Sequence, residues 1–336
     1  MTTLSALLAS ASAGIIARFP CHPIDTAKAR LQAQQPSVGS IPRYRNLIQT
    51  LLKTFQKEGV RGLYRGFSIT VAGSGPGSCL YITTYDQASQ RLTAASSFLG
   101  QNDSIAHFLA GMIAEAVCCA VFVPIDVVKE RLQIQEQGGR GNYRGGMHAL
   151  TTIYRTEGLS GIYRGYAATL ASFGPYSAFY FTFYEKIKAF SLGVFSTEGT
   201  ADDTSEADDE VTDLGTETKQ KTANDVPFLL HLANASLASA MASFVTTPLD
   251  LVKLRLQVQR GTAADLSVGS KPPWEPYSGM IDGLKKIVRQ DGVPGLFRGA
   301  GARTVFHGPM TAITFAAYET LKGTWAELLH EDKNEW

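Results

Sequence analysis

The sequence predicts an all-α membrane protein of three tandem repeats, with six tilted spans around a central cavity and a short helix on one side of each repeat. Three observations carry this. Two motifs recur, in the same order, three times. Six apolar segments of about 25–30 residues alternate with polar stretches, which is longer than a bilayer requires of an upright helix and therefore fits tilted spans. Charged residues make up only 18% of the 336 residues, against 44% hydrophobic, a low share for a soluble chain.

The first motif reads Pro-x-Asp-x-x-Lys-x-Arg-x-Gln. Its copies are Pro23, Asp25, Lys28, Arg30, Gln32; Pro124, Asp126, Lys129, Arg131, Gln133; and Pro248, Asp250, Lys253, Arg255, Gln257. The second motif follows each copy: EGVRGLYRG from Glu58, EGLSGIYRG from Glu157 and DGVPGLFRG from Asp291. Self-similarity of this kind means one supersecondary unit used repeatedly. The repeats are bounded at 1–97, 98–196 and 226–329. Residues 197–225 hold ten acids against Lys219 and Lys221. That composition cannot bury a core and predicts a disordered acidic loop. It also means that the formal net charge of +1 conceals a basic remainder.

The odd apolar segments lie near 4–33, 104–134 and 226–257, the even ones near 65–92, 164–191 and 298–325. The first could be mistaken for a signal peptide. It lacks a basic n-region and occupies the place that FLAGMIAEAVCCAVFV holds in the second repeat. Between the segments lie amphipathic stretches such as RNLIQTLLKTFQKEG, with Leu47, Leu51, Leu52 and Phe55 on one face. Small residues four apart, Ser10/Gly14 and Ala235/Ser239, suit close helix packing in lipid. Basic residues follow the odd segments: Arg43, Arg45, Lys53 and Lys57; Arg140 and Arg144; Lys285, Lys286 and Arg289. The other loops are poor in bases, so the two sides face opposite compartments. Cys21, Cys79, Cys118 and Cys119 all sit in apolar segments. Their spacing fits neither zinc ligation nor a secreted disulfide framework, which predicts free thiols.

Charge buried in a membrane is expensive and usually functional. Three Asp and three Lys at matching depths predict a ring in which the Asp of one helix pairs with the Lys of the next. Proline at that depth bends each helix inward. A ring of ion pairs that can break is a gate; a ring that cannot is a static plug in a receptor or scaffold. The even segments end in YDQAS, YEKIK and YETLK, so acids and bases recur at the opposite face. Asp86, Glu185 and Glu319 face only Lys188 and Lys322, because Ser89 holds the first basic position. Two gates of unequal strength around a cavity are what alternating access requires.

In these paired motifs the chain resembles the mitochondrial carrier family over nearly its whole length. The resemblance implies a multi-pass monomer of the mitochondrial inner membrane with both termini on the intermembrane-space side. It assigns Asp25, Asp126, Asp250, Lys28, Lys129 and Lys253 to the matrix gate, braced by Gln32, Gln133 and Gln257. Tyr85, Tyr184 and Tyr318 would brace the cytoplasmic gate. Cardiolipin would bind at the N-termini of the short and even helices, where free amides favour phosphate. No cofactor, resident metal or nucleic-acid partner is implied.

Helical phase places Arg18, seven residues before Asp25, on the cavity face. Its equivalents are Cys119 and Ser243. Glu115 is nearly in phase with Asp126, yet it also aligns with Gly14 and Ser239, so cavity and helix interface both stay open. The family resemblance places solute contacts at Gly73, Ser74, Ser172, Phe173, Phe306 and His307. None is Arg or Lys, which disfavours strongly anionic solutes. Arg303, close by, resembles a common structural arginine of the family.

GSGPGSCLYITTYD and RTVFHGPMTAITFAAYE resemble the subgroup that contains mitoferrins and S-adenosylmethionine carriers. The solute expected from Arg18 and neutral contacts is zwitterionic or amino-acid-like. The metal alternative, an iron-type carrier, would recruit Glu115, Cys119 and His307. No P-loop, nucleophile elbow or metal-ligand cluster suggests an enzyme. The GSGPG run lacks the Lys-Ser/Thr of a phosphate loop, and its small residues would widen a pathway.

Overall fold

The computed structural model describes residues 4–34, 44–95, 103–135, 143–198, 228–259 and 276–329. Helices α1 (Leu4–Ala33), α2 (Leu47–Leu63) and α3 (Phe67–Ala95) form the first repeat. The second holds α4 (Asp103–Ile134), α5 (Gly146–Ile162) and α6 (Tyr166–Glu198). The third holds α7 (Phe228–Val245), α8 (Thr247–Val258), α9 (Met280–Leu296) and α10 (Ala300–Leu329). Among the described residues there is no strand. The acidic stretch begins inside α6, and from residue 199 it lies outside the described residues, as do Arg43 and Arg140.

The long helices close on themselves. Helix α1 packs on α3, α3 on α4, α4 on α6, α6 on α7, α7 on α10 and α10 on α1. At one end the C-terminal parts of the odd helices also meet: α1, α4 and α8 contact one another. The result is a six-membered basket drawn together at the end that carries the Asp/Lys motif. Helices α1 and α4 run through Pro23 and Pro124 without interruption. The third odd segment instead breaks at Thr246, the N-cap of α8, with Pro248 in the first turn, where its missing N–H is tolerated.

Small residues let the long helices approach, on a face one residue away from the one expected. Ala9, Ala13 and Ala17 are fully buried in α1, and Ala110, Ala114 and Cys118 in α4. Gly14 faces open space: a Cβ there would meet nothing within 4 Å. One residue along a helix turns a side chain by about 100°, so the Ser10/Gly14 assignment misses the seam. Ala235 and Ser239 are buried as expected.

The short helices also differ from their sequence reading. In α2 the buried positions are Thr50, Thr54 and Gly62, while Leu52 and Phe55 are more than half exposed. Leu47 alone of the expected face joins a core cluster, with Leu31, Tyr44 and Ala302. An outward apolar face is permitted where the surroundings are lipid rather than water. By composition alone, two stretches among the described residues are apolar enough to cross a membrane, Leu109–Ile134 and Phe228–Val245. The other long helices carry polar side chains toward a shared interior, which lowers their mean hydropathy.

Candidate functional site

The six motif charges form a closed ring. Lys129 Nζ lies 2.6 Å from Asp25, Lys253 Nζ 3.3 Å from Asp126, and Lys28 Nζ 3.0 Å from Asp250. Each acid meets the lysine of the next odd helix. The three-residue spacing sets Asp and Lys nearly one turn apart on one face, so each helix offers an acid to one neighbour and a base to the other. Asp25, Lys28 and Lys129 are all buried.

The expected glutamine braces are realised once. Gln133 Nε2 donates to Asp25 Oδ2 at 3.2 Å and to Thr26 Oγ1 at 3.3 Å. The Gln32 amide and Gln257 Nε2 have no hydrogen-bond partner among the described residues. Their stems are taken up by packing: a Cβ at Gly299 would lie 2.7 Å from Gln32 Cγ, and one at Gly165 2.8 Å from Gln257 Cγ. Both glycines, and Gly66, have φ between 81° and 86°, a region that L side chains avoid. The glycine ending each second motif is therefore required twice over, by backbone angle and by close approach.

A second ring was not read from the sequence. The motif arginines bind across repeats. Arg30 Nε donates to the Gln133 carbonyl at 2.9 Å, Arg131 Nε to that of Gln257 at 3.1 Å, and Arg255 Nε to that of Gln32 at 3.1 Å. Arg30 also grips Glu58, and Arg131 grips Glu157, each with two parallel hydrogen bonds. Such forks are the strong form of ion pair. In the third repeat Asp291 is one methylene shorter. It pairs with Arg298 at 3.6 Å, while Arg255 Nη1 donates to the Tyr277 hydroxyl. The signal was the recurrence of Arg and Glu at fixed places in both motifs, but sequence spacing alone does not show that two motifs touch.

Above the rings lies a cavity of about 360 Å³. Of the expected solute contacts, Arg18, Ser172, Phe173, Phe306 and His307 line it. Gly73 does not: it packs against Ile125, and Gly77 against Phe122, so these glycines bring α3 onto α4 and do not widen a pathway. The side chain of Ser74 lies outside the described residues. Cys119 is fully buried in a core cluster with Val123 and Val127, which removes it from the contact set. Its thiol donates to Glu115 Oε1 at 3.5 Å.

Glu115 is on the cavity wall, which resolves the alternatives left open for it. It makes no ion pair with Arg18, whose buried Nε lacks a hydrogen-bond partner among the described residues. Arg303 is buried, lines the cavity and reaches the ring. Its Nη1 donates to Ser243 O and Thr246 Oγ1, and its Nε lies 3.3 Å from Asp250. His307 is flanked by Tyr176 and Phe306, at ring distances of 5.6 and 5.3 Å. Five basic and five acidic residues line the cavity, so its formal charge is balanced. Among the described residues no three His, Cys, Asp or Glu side chains converge as metal ligands.

The family model of mitochondrial carrier proteins matches residues 1–96, 100–194 and 224–328. The chain belongs to the mitochondrial carrier family. It is 32% identical to mitochondrial substrate carrier family protein E of Dictyostelium discoideum, over 98% of each chain. It is 30% identical to mitoferrin of the same organism, covering 94% of this chain and 92% of the relative. It is 31% identical to the mitochondrial aspartate-glutamate transporter AGC1 of Saccharomyces cerevisiae, over 93% of this chain and 30% of that longer protein.

At the other end of this carrier, Tyr85 stacks on Tyr81, and the Tyr184 hydroxyl is 3.2 Å from His231 Nδ1. Tyr318 and Asp86 are half-buried, while Glu185 and Glu319 are exposed. Among the described residues Glu185, Lys188 and Glu319 make no ion pair. Lys322 lies on the same part of α10. The conformation is closed by the Asp/Lys ring.

Proposed function

We propose that this carrier moves a small zwitterionic or amino-acid-like solute across the mitochondrial inner membrane by alternating access, with the Asp/Lys ring as matrix gate and the Tyr85, Tyr184 and Tyr318 end as cytoplasmic gate. The observation that carries the solute class is the pair Arg18 and Glu115. Both line one cavity, on different helices, and neither neutralises the other. A guanidinium fork suits a carboxylate, and a carboxylate suits an ammonium group. Opposite charges on one cavity wall select a zwitterion over a simple anion or cation. A volume of about 360 Å³ is at the small end of ligand pockets. The aspartate-glutamate transporter among the relatives adds support.

In this reading the protein acts as a monomer with both termini on the intermembrane-space side. Cardiolipin phosphate would sit at the amides that open the short helices and α3, α6 and α10. The metal reading draws on the mitoferrin relative, but its three donors do not converge among the described residues: Cys119 and Glu115 are 3.5 Å apart, while His307 belongs to the aromatic wall. The test is uptake by purified protein in cardiolipin-containing liposomes. The panel is labelled amino acids, S-adenosylmethionine, dicarboxylates and ferrous iron. Saturable uptake of a zwitterion is expected. Uptake of iron or a dicarboxylate with no zwitterion taken up would overturn the solute class.

A further inference from the structure

The matrix-gate ring holds a fourth acid. Glu130 directly follows Lys129; the matching positions in the other repeats are Ala29 and Leu254. It is 8% exposed and lines the cavity. Its Oε1 lies 3.5 Å from Lys129 Nζ, but that ammonium is already 2.6 Å from Asp25. Its Oε2 is enclosed and has no hydrogen-bond partner among the described residues. The charged groups facing it are Lys129 and Asp126 on α4, Asp25 and Lys28 on α1, and Lys253 on α8. Each of these lysines is committed to an aspartate, and Arg303 is held at Asp250. One ammonium therefore serves two carboxylates at this corner. An ionised carboxylate is costly to bury without its own partners. The oxygen has no room for a solute group, and the ligand that needs no room is a proton.

We propose that Glu130 is a proton-binding site, and that the carrier moves a proton together with its solute; this rests on the alternating-access reading above. With the ring closed, the Glu130 carboxylate takes a proton from a hydronium ion in the cavity: one O–H bond of the hydronium breaks, leaving water, and one carboxyl O–H bond forms. The carboxylate charge is removed, and Lys129 is left to Asp25. With the ring open to the matrix, the carboxyl O–H bond breaks and the proton passes to water on that side, which becomes hydronium. By linkage, proton binding favours the closed ring and proton loss favours its opening. The other two corners of the ring have no such group, so a single site carries the coupling.

The test has two arms. The first needs no solute: the full chain in detergent is taken through a pH series while infrared difference spectra follow protonated carboxyl groups. A band present in the wild type and in Glu115→Gln is expected to be absent in Glu130→Gln and displaced in Glu130→Asp. If Glu130→Gln fails to fold, the displacement in Glu130→Asp carries the assignment. Spectra unchanged in both Glu130 variants overturn the proton site. The second arm is uptake of the labelled zwitterionic amino acids into liposomes. For one proton per solute, acidifying the outside by one pH unit raises the accumulation ratio by up to about tenfold, and Glu130→Gln removes that rise. Uptake indifferent to the gradient in the wild type overturns co-transport. Uptake of none of them, with the band present, contradicts the solute class while supporting the proton site.

Discussion

Lys129 Nζ and Asp25 Oδ2 are 2.6 Å apart, the shortest of the three ring pairs. Gln133 Nε2 reaches the same oxygen. This corner also holds Glu130, so it is both the most tightly bonded and the most crowded with charge. Removing one member of a buried pair leaves the other uncompensated, at about 3–5 kcal/mol. Lys129→Ala should lower the thermal midpoint more than Lys253→Ala, whose partner Asp126 is 31% exposed at the side chain. Equal losses in a melt of the two purified variants would contradict this ranking.

The arginine ring predicts an asymmetry between repeats. Arg131 makes a buried fork with Glu157, whereas Arg255 has a tyrosine hydroxyl in that place. Lysine cannot reproduce a fork. Arg131→Lys should cost about 1.5–3 kcal/mol, the range for hydrogen bonds to charged groups, and Arg255→Lys less. Thermal midpoints of the two variants decide it; a larger loss at Arg255 would show that carbonyl contacts, not the fork, dominate.

Two glycines should respond in opposite directions. Gly299 has φ 81°, and a Cβ there would meet Gln32 Cγ, so Gly299→Ala should destabilise. Gly14 is within α1 with open space around it. Gly14→Ala should be neutral or stabilising by up to about 1 kcal/mol, because glycine loses more conformational freedom than alanine in a helix. A loss at Gly14 equal to that at Gly299 would refute the packing assignment.

Arg18 separates a structural charge from a solute clamp. It makes no ion pair with an acid among the described residues, so Arg18→Gln should fold with a thermal midpoint near wild type. Uptake of the zwitterion should fall by a factor of ten or more, since losing one charged hydrogen bond is about 1.5–3 kcal/mol. Arg18→Lys should recover part of it, as a point charge without the fork. Unchanged uptake in Arg18→Gln would remove the carboxylate clamp.

The ring was legible because its chemistry repeats: Asp and Lys three apart, three times, leave few other partners in a membrane. Arg18 and the pair Phe306 and His307 were legible from helical phase and family likeness. Other features depend on which face of a helix meets which neighbour. Glu115 and Cys119 are four residues apart on the same helix, yet one faces the cavity and the other the core. Gly73 and Gly77 look like room for a solute until Ile125 and Phe122 are seen to fill it. Thr50 and Thr54 are buried in place of Leu52 and Phe55, because lipid lets the apolar face point outward. Glu130 lies in a variable place of a repeated motif, where comparison of the repeats draws the eye to what is shared rather than to what differs.

Transport by alternating access requires the Asp/Lys ring to open and close in every cycle. The most direct measurement is initial uptake of the zwitterion by Asp126→Lys, by Lys253→Asp and by the double reversal, in liposomes, with thermal midpoints recorded alongside. These two residues form a ring pair at 3.3 Å, and exchanging them keeps the pair while each single change places like charges together. Each single variant should lose uptake, and the double variant should recover a measurable part of it, a coupling of the kind that contacting residues show. Full uptake in both single variants would contradict the gate.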